Sequence, residues 1–243
     1  MNMIKDVLKK IFDEIIARKC SFCLQDSKLY LCDKCYNKYL NNINIQKEYI
    51  KYKNCNIPYI YFGTYDILKE YIYHGKYNGD MSYIKSVVQY LVDLDFKNNN
   101  ILLEILDARY IIYVPSNFKK VLQRGCCIPK YIFKQLKKSI VRIVGKWNVT
   151  ILNIFKENTG VDLKNMNKKE RKKQIHNKFR KEYDVIKFEQ ELYGKEIYNK
   201  KILIIDDVVS SKTTIMYIVK ELYNLGFRNI CILSLANNNI NKL

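Results

Sequence analysis

Two neighbouring carboxylates, Asp206 and Asp207, stand directly after the apolar run Ile202–Ile205. They stand directly before a loop rich in hydroxyls: Ser210, Ser211, Thr213 and Thr214. Ionised carboxylates only accept hydrogen bonds, so a pair of them suits the hydroxyls of a polyol. Hydroxyls beside free main-chain N–H groups at a helix start suit an anion, because the helix dipole is positive there. The stretch predicts a site for a phosphorylated sugar. A plainer role competes with it, in which the two Asp residues cap the following helix.

A second cluster is made of thiols. Cys20 and Cys23 form one CxxC pair, and Cys32 and Cys35 form another, with Leu24–Leu31 between them. Each pair makes a knuckle that brings two sulfurs to one point, and two knuckles complete a tetrahedral four-cysteine site for Zn2+. With all four positions filled by thiolates, the metal is structural. Cys55, Cys126, Cys127 and Cys231 fall outside this pattern and read as small buried apolar residues.

These groups need elements to position them. Ile202–Ile205 is short, β-branched and continuous, which predicts a strand buried on both faces with the carboxylates at its C-terminal end. A helix is expected over Ile215–Leu225 and a last strand over Asn229–Leu235. A second buried strand, Tyr110–Val114, leads into Pro115, Ser116 and the basic residues Lys119, Lys120 and Arg124, a loop suited to pyrophosphate. Tyr61–Tyr65 alternates like a strand. Helices are expected from Asp66 to about His74, over Tyr83–Leu94 and over Pro129–Lys138. Ser139–Phe155 predicts part of a helix and a further strand. His74 reads as a surface or capping residue. Met1–Arg18 has Ile4, Val7, Leu8, Ile11, Phe12, Ile15 and Ile16 on one helical face and predicts an amphipathic helix packed on its own protein. Strands alternating with helices predict an α/β fold with a doubly wound, mostly parallel sheet.

The chain has 243 residues, 48% of them hydrophobic, which suits one medium domain and a small appendage. The division expected is 1–57 for the N-terminal helix and zinc knuckle and 58–243 for the main domain. With 43 Lys and Arg against 24 Asp and Glu, the formal charge is +19. That excess favours polyanionic partners, although an AT-rich genome raises the Lys count by itself. Lys164–Lys181 holds much of it and reads as a flap over an anionic ligand, a solvated face, or a track for nucleic-acid phosphates through Lys168, Lys169, Arg171, Lys172 and Lys173. The first ten residues carry charges and lack an apolar core, and no stretch is long enough to span a membrane. Together with metal-type cysteines, these features predict a cytoplasmic protein.

The frame Asp206, Asp207, Val208, Val209, Ser210, Ser211, Lys212, Thr213, Thr214 resembles the phosphoribosyl-pyrophosphate (PRPP) loop of type I phosphoribosyltransferases, D-D-V-x-[ST]-[ST]-G-x-T. More widely, the chain resembles the ComF family, phosphoribosyltransferase-like proteins with a zinc-finger head that are linked to DNA uptake and natural transformation. The likeness covers nearly the whole chain. It is carried by Cys20, Cys23, Cys32 and Cys35; by Lys76, Tyr77, Gly79 and Asp80; by Val114 and Pro115; by Arg124 and Gly125; by Glu170, Arg171 and Phe179; and by Asp206, Asp207, Val208, Ser210, Ser211 and Thr214. The departures are Cys126–Pro129 in place of F-N-Q, Gln174 in place of Asn, Asn177-Lys178 in place of G-A, and Lys212 in place of the loop Gly.

The resemblance implies a type I phosphoribosyltransferase-like fold. It implies that Asp206 and Asp207 are the catalytic pair, that Asp206–Thr214 binds PRPP or a related phosphosugar with Mg2+ on the pyrophosphate, and that Pro115, Ser116 and Arg124 form the pyrophosphate loop. The implied partners are single-stranded DNA and other DNA-uptake proteins. Lys212 leaves transferase activity open, because it either adds charge beside a phosphate or blocks the cradle. The other reading is a non-enzymatic nucleic-acid-binding adaptor on a degenerate transferase scaffold. A salvage enzyme fits less well, since salvage transferases do not usually carry a four-cysteine head.

Overall fold

The computed structural model describes residues 18–20, 22–27, 31–41, 43–116, 118–158, 166–181, 187, 190 and 194–238. The expected N-terminal helix, apart from Arg18, and Lys164 of the basic run lie outside the described residues.

The main sheet has six strands: β3 (Gln46–Tyr52), β4 (Cys55–Thr64), β5 (Ala108–Tyr113), β6 (Thr150–Ile151), β9 (Lys201–Val209) and β10 (Ile230–Asn237). Their spatial order is β3-β4-β10-β9-β5-β6. Only β3 is antiparallel, through the β3–β4 hairpin; the other neighbours are parallel. Two short antiparallel pairs complete the strands: β1 (Arg18–Lys19) with β2 (Asp26–Ser27), and β7 (Phe155–Glu157) with β8 (Phe179–Lys181).

Apolar residues run without interruption through the central strands because both faces of the sheet are covered. On β9, Leu203 and Ile205 enter one core with Cys231 and Leu233 of β10, while Ile202 and Ile204 enter the other with Ile230 and Ile232. The first core is closed by α2 (Tyr65–Tyr77), α3 (Ser82–Asn98) and α5 (Ile128–Val144). Here Ile128, Ile132, Leu136 and Ile140 repeat every four residues along α5. The second core is closed by α7 (Thr213–Asn224), through Ile215, Ile218 and Leu222, and by Ile175 of α6 (Lys168–Lys178). Between β5 and α5 lies the short α4 (Phe118–Arg124).

Several boundaries differ from the sequence reading. The expected strand at Tyr61–Tyr65 is, apart from Tyr65, which opens α2, the end of β4, and β4 starts at Cys55 because the hairpin register with β3 begins at Cys55 and Tyr52. The helix expected to stop near His74 continues to Tyr77. Gly75 does not end it but admits α3, since a Cβ there would meet Ile84 Cδ1 at 2.6 Å. Ser139–Phe155 holds the end of α5, then β6 and the start of β7. Cys231 is buried, but Cys55 is exposed and Cys126 and Cys127 are half-buried.

The cysteine knuckle sits on the first core. Cys20, Leu31, Cys35 and Leu40 are buried in the same apolar cluster as α2 and α3. Phe22 packs against Tyr39, Tyr71 and Tyr83 at ring-centroid distances of 5.4, 5.1 and 5.0 Å. Tyr36 of α1 (Asp33–Tyr39) stacks on Tyr90 at 4.0 Å. No helix among the described residues is long and apolar enough to cross a membrane.

Candidate functional site

Strand β5 hands the chain to helices on one face of the sheet, and its neighbour β9 hands it to α7 on the other. Between the C-terminal ends of two such strands the connections part, and a crevice opens. Here that crevice is a cleft of about 700 Å³. Asp206, Asp207, Val208, Ser210 and Thr214 line it from the β9 side, and Val114, Pro115, Ser116 and Arg124 from the β5 side. Lys76 and Tyr77 line it from α2, Glu157 from the end of β7 and Lys178 from the end of α6. The two stretches singled out in the sequence, one after each buried strand, therefore meet across one cleft.

Strand β9 runs further than its apolar run suggests, to Val209, because Val208 and Val209 still pair with Ala236 and Asn237 of β10. The carboxylates thus lie on a fixed strand end. The Asp207 amide donates to Asp206 Oδ1 at 2.8 Å, and the Val208 amide donates to Asp207 Oδ1 at 2.7 Å. Lys76 Nζ reaches Asp207 Oδ2 at 2.7 Å. Arg124 Nε donates to the Lys76 carbonyl at 2.9 Å and ties the β5 loop to α2.

The environment makes the two carboxyls unequal. Burial, and then the charge of Asp207, push the Asp206 carboxyl up to about 8. Burial acts on Asp207 in the same sense, but the Lys76 ammonium and the Val208 amide outweigh it and hold Asp207 below its usual range. Asp207 is thus the carboxyl that pairs with Lys76, and Asp206 is the one that holds its proton more tightly.

The loop after β9 divides its residues. Val209 turns into the second core, 2% exposed. Ser211 Oγ donates to Thr213 Oγ1 at 3.1 Å. Lys212 occupies the N-cap position of α7 with φ 58° and ψ −2°, in the left-handed region, and no side chain caps the helix. The first N–H groups of α7 are therefore without a side-chain acceptor, beside Ser210 and Thr214. The backbone at Lys212 takes the conformation that a Gly adopts without cost.

The basic run divides too. Residues 168–178 form α6, with Asn167 and Glu170 in a capping box. Lys169 and Lys173 are exposed, and Lys178 faces the cleft. Phe179 stacks on Tyr217 at 5.7 Å, and Lys181 pairs with Glu221 at 2.6 Å, which holds the ribbon against α7.

Sequence reasoning gave Lys76 no place in the site, nor Glu157 and Tyr73, and it held Lys178 only as part of the basic run. Lys76 carried a signal as the first residue of K-Y-x-G-D, and in the structure it pairs with Asp207. His74 lines the cleft, and its ring stacks on Tyr83 at 4.4 Å and 10°.

At the knuckle, the sulfurs of Cys20, Cys23, Cys32 and Cys35 lie within 4.8 Å of one another, and those of Cys23 and Cys32 are 3.7 Å apart. Tetrahedral zinc with thiolates at about 2.3 Å places its sulfurs roughly 3.8 Å apart, so the four thiols suit such an ion. Amides already point at the sulfurs, Cys32 N to Cys20 Sγ and Cys35 N to Cys32 Sγ, each at 3.4 Å. Burial opposes ionisation of Cys20, but main-chain N–H groups outweigh it and hold that thiol at about 6. Burial and the neighbouring thiols push Cys35 far up. Four thiols this close ionise together only around a cation. The cluster can hold a metal ion such as zinc.

The chain matches no protein-family model and no curated protein.

Proposed function

We propose that the cleft binds PRPP or a related phosphosugar, that the protein is ComF-like on a type I phosphoribosyltransferase-like fold, and that it serves the handling of single-stranded DNA. One observation carries this reading. Paired carboxylates, an uncapped helix N-terminus with hydroxyls, and Arg124 at the end of α4, a helix where the sequence suggested a basic loop, converge on one cleft at the point where the strand connections part. Asp206 and Asp207 accept hydrogen bonds from the ribose hydroxyls. Ser210, Thr214 and the first N–H groups of α7 hold the 5′-phosphate. Pro115, Ser116 and Arg124 face the pyrophosphate. Mg2+ bound with the pyrophosphate supplies charge neutralisation to the leaving group, and the carboxyl and hydroxyl oxygens here are the hard donors it takes. Any transfer relies on positioning and electrostatics. Zinc in the four-cysteine knuckle is structural and holds the knuckle against α2 and α3.

Calorimetric titration of zinc-loaded protein with PRPP and Mg2+ tests this, with Asp206→Asn/Asp207→Asn alongside. Saturable binding that the variant loses is expected. The absence of binding by the intact protein overturns the reading. A second reading, a nucleic-acid-binding adaptor, is favoured by the exposed lysines of α6 and by the strained Lys212. It requires oligonucleotide affinity that falls steeply with salt and survives the double Asn change.

A further inference from the structure

The joint between α4 and α5 holds two adjacent thiols, Cys126 and Cys127. Both are half-buried, and neither belongs to either core. Packing therefore does not account for them, and solvent reaches both residues. One sulfur touches the chain that lines the cleft, since Cys127 Sγ donates to Ser116 Oγ at 3.8 Å. Burial strengthens the hold of Cys126 on its proton, the Cys127 sulfur adds to this, and the Arg124 guanidinium acts against both, so Arg124 lies within electrostatic reach of Cys126. Ser116 and Arg124 both line the cleft, and Arg124 also ties α4 to the Lys76 carbonyl at 2.9 Å. A change at the thiols is thus passed to one wall of the cleft.

The backbone at this joint can adjust. Cys126 lies outside both helices, and Cys127 is the N-cap of α5 in an extended conformation, with φ −88° and ψ 114°. Gly125 has φ 71°, and nothing lies within 4 Å of where its Cβ would be. Neighbouring Cα atoms are about 3.8 Å apart, below the usual disulfide span of roughly 4.4–6.8 Å. A disulfide between neighbours is therefore strained and readily reduced again, which suits a switch and not a staple. We infer that Cys126 and Cys127 form a reversible redox pair, closed into a disulfide by hydrogen peroxide, and that closure loosens α4 and Ser116 at the cleft. One thiolate sulfur attacks a peroxide oxygen, the O–O bond breaks, the sulfur keeps that oxygen as a sulfenic acid, and the other oxygen takes a proton and leaves as water. The second thiol then attacks the sulfenic sulfur, the S–S bond forms, the S–O bond breaks, and another water leaves. Two electrons pass from the thiols to the peroxide. Cys127 Sγ gives up its proton and turns to Cys126, so Ser116 loses its donor. None of these steps depends on what the cleft binds.

The test treats zinc-loaded protein with hydrogen peroxide and follows it by peptide mass mapping and by hydrogen exchange. Intact protein, Cys126→Ser and Cys127→Ser are compared; Ser is close to Cys in size, and both sites are half-buried, so the variants fold. Trypsin cuts after Arg124 and Lys130 and leaves both cysteines in one peptide, Gly125–Lys130. In the intact protein this peptide should lose the mass of two hydrogens and regain it with dithiothreitol. Each Ser variant should instead stop at a sulfenic acid, which dimedone traps on the remaining cysteine. Amides of Phe118–Arg124 should exchange about fivefold or more faster after oxidation of the intact protein, and at an unchanged rate in the treated variants. A peptide that keeps its thiol mass, or that joins a cysteine elsewhere, overturns the redox pair. Closure of the disulfide with unchanged exchange overturns its coupling to the cleft wall.

Discussion

Four thiols meet within 4.8 Å at the knuckle, and two carboxyls sit side by side at the end of β9. Both are clusters of groups that repel once ionised. At the knuckle, the spacing of the sulfurs suits an external cation. At the strand end the cation is built in, because Lys76 lies 2.7 Å from Asp207. That lysine serves one carboxyl and leaves Asp206 with a raised affinity for protons. A cluster of four thiols at the spacing of a tetrahedral ion suits a permanent structural metal. A cluster that is half neutralised suits a ligand that comes and goes.

Removing the counter-charge tests each half of this contrast. The largest effect is expected at the knuckle. Cys35→Ser, or chelation of the metallated protein, should destabilise it by about 3 kcal/mol or more, because metal binding there is also folding energy for the surface that covers α2 and α3. Urea unfolding with and without chelator measures this, and an unchanged midpoint would mean that the thiols hold no metal.

Next comes Lys76→Met. It leaves Asp207 without its cation and should cost about 2–3 kcal/mol at pH 8, below the figure for a fully buried pair because Asp207 is 20% exposed. The sign with pH follows from the lowered Asp207. Its ionised form adds stability above the unfolded value, and this contribution is lost as pH falls through the folded value. The deficit of the variant should therefore shrink on acidification. A deficit independent of pH would show that Lys76 acts through packing alone.

Asp206→Asn should act in the opposite direction. A carboxyl raised to about 8 holds a proton in the folded state that the unfolded chain has released, so stability declines as pH rises from about 4 to 8. Asn removes that decline and should stabilise the protein by about 1–2 kcal/mol at pH 8. Denaturant midpoints across this pH range decide it. A loss of stability at pH 8 would mean that Asp206 is ionised and held by a partner.

The smallest effect is at the loop. Lys212→Gly relieves a left-handed residue but gives the unfolded chain more freedom, for a net gain of about 0.5–1 kcal/mol. A loss of stability on this change would place Lys212 among the residues that hold the loop by contact.

Much of the site was legible because it is local. Asp206 and Asp207 follow Ile202–Ile205 directly, and the cysteines come as two CxxC pairs, so adjacent residues state the chemistry. Pro115, Ser116 and Arg124 were legible for the same reason, since they follow a second buried strand. Lys76 was harder to read. It lies on a helix attached to another strand, and nothing in its own neighbourhood shows that its ammonium ends on Asp207. The tyrosines of α2 were equally silent, because the sequence does not distinguish an aromatic residue facing a cleft from one facing a core.

What the sequence by itself determined is the set of buried strands, the pairing of the carboxylates and the thiol knuckles. Periodicity and short spacing dictate these through backbone geometry, whatever the rest of the chain does. What only the tertiary structure decided is which carboxyl stays ionised, which face of α2 meets the cleft, and that the knuckle shares a core with the helices beside it. Two identical Asp residues, adjacent in the chain, are shifted in opposite directions because Lys76 forms its ion pair with Asp207 and not with Asp206. That is a property of positions brought together in space, where Coulomb attraction and burial depend on distance and surroundings and not on order along the chain.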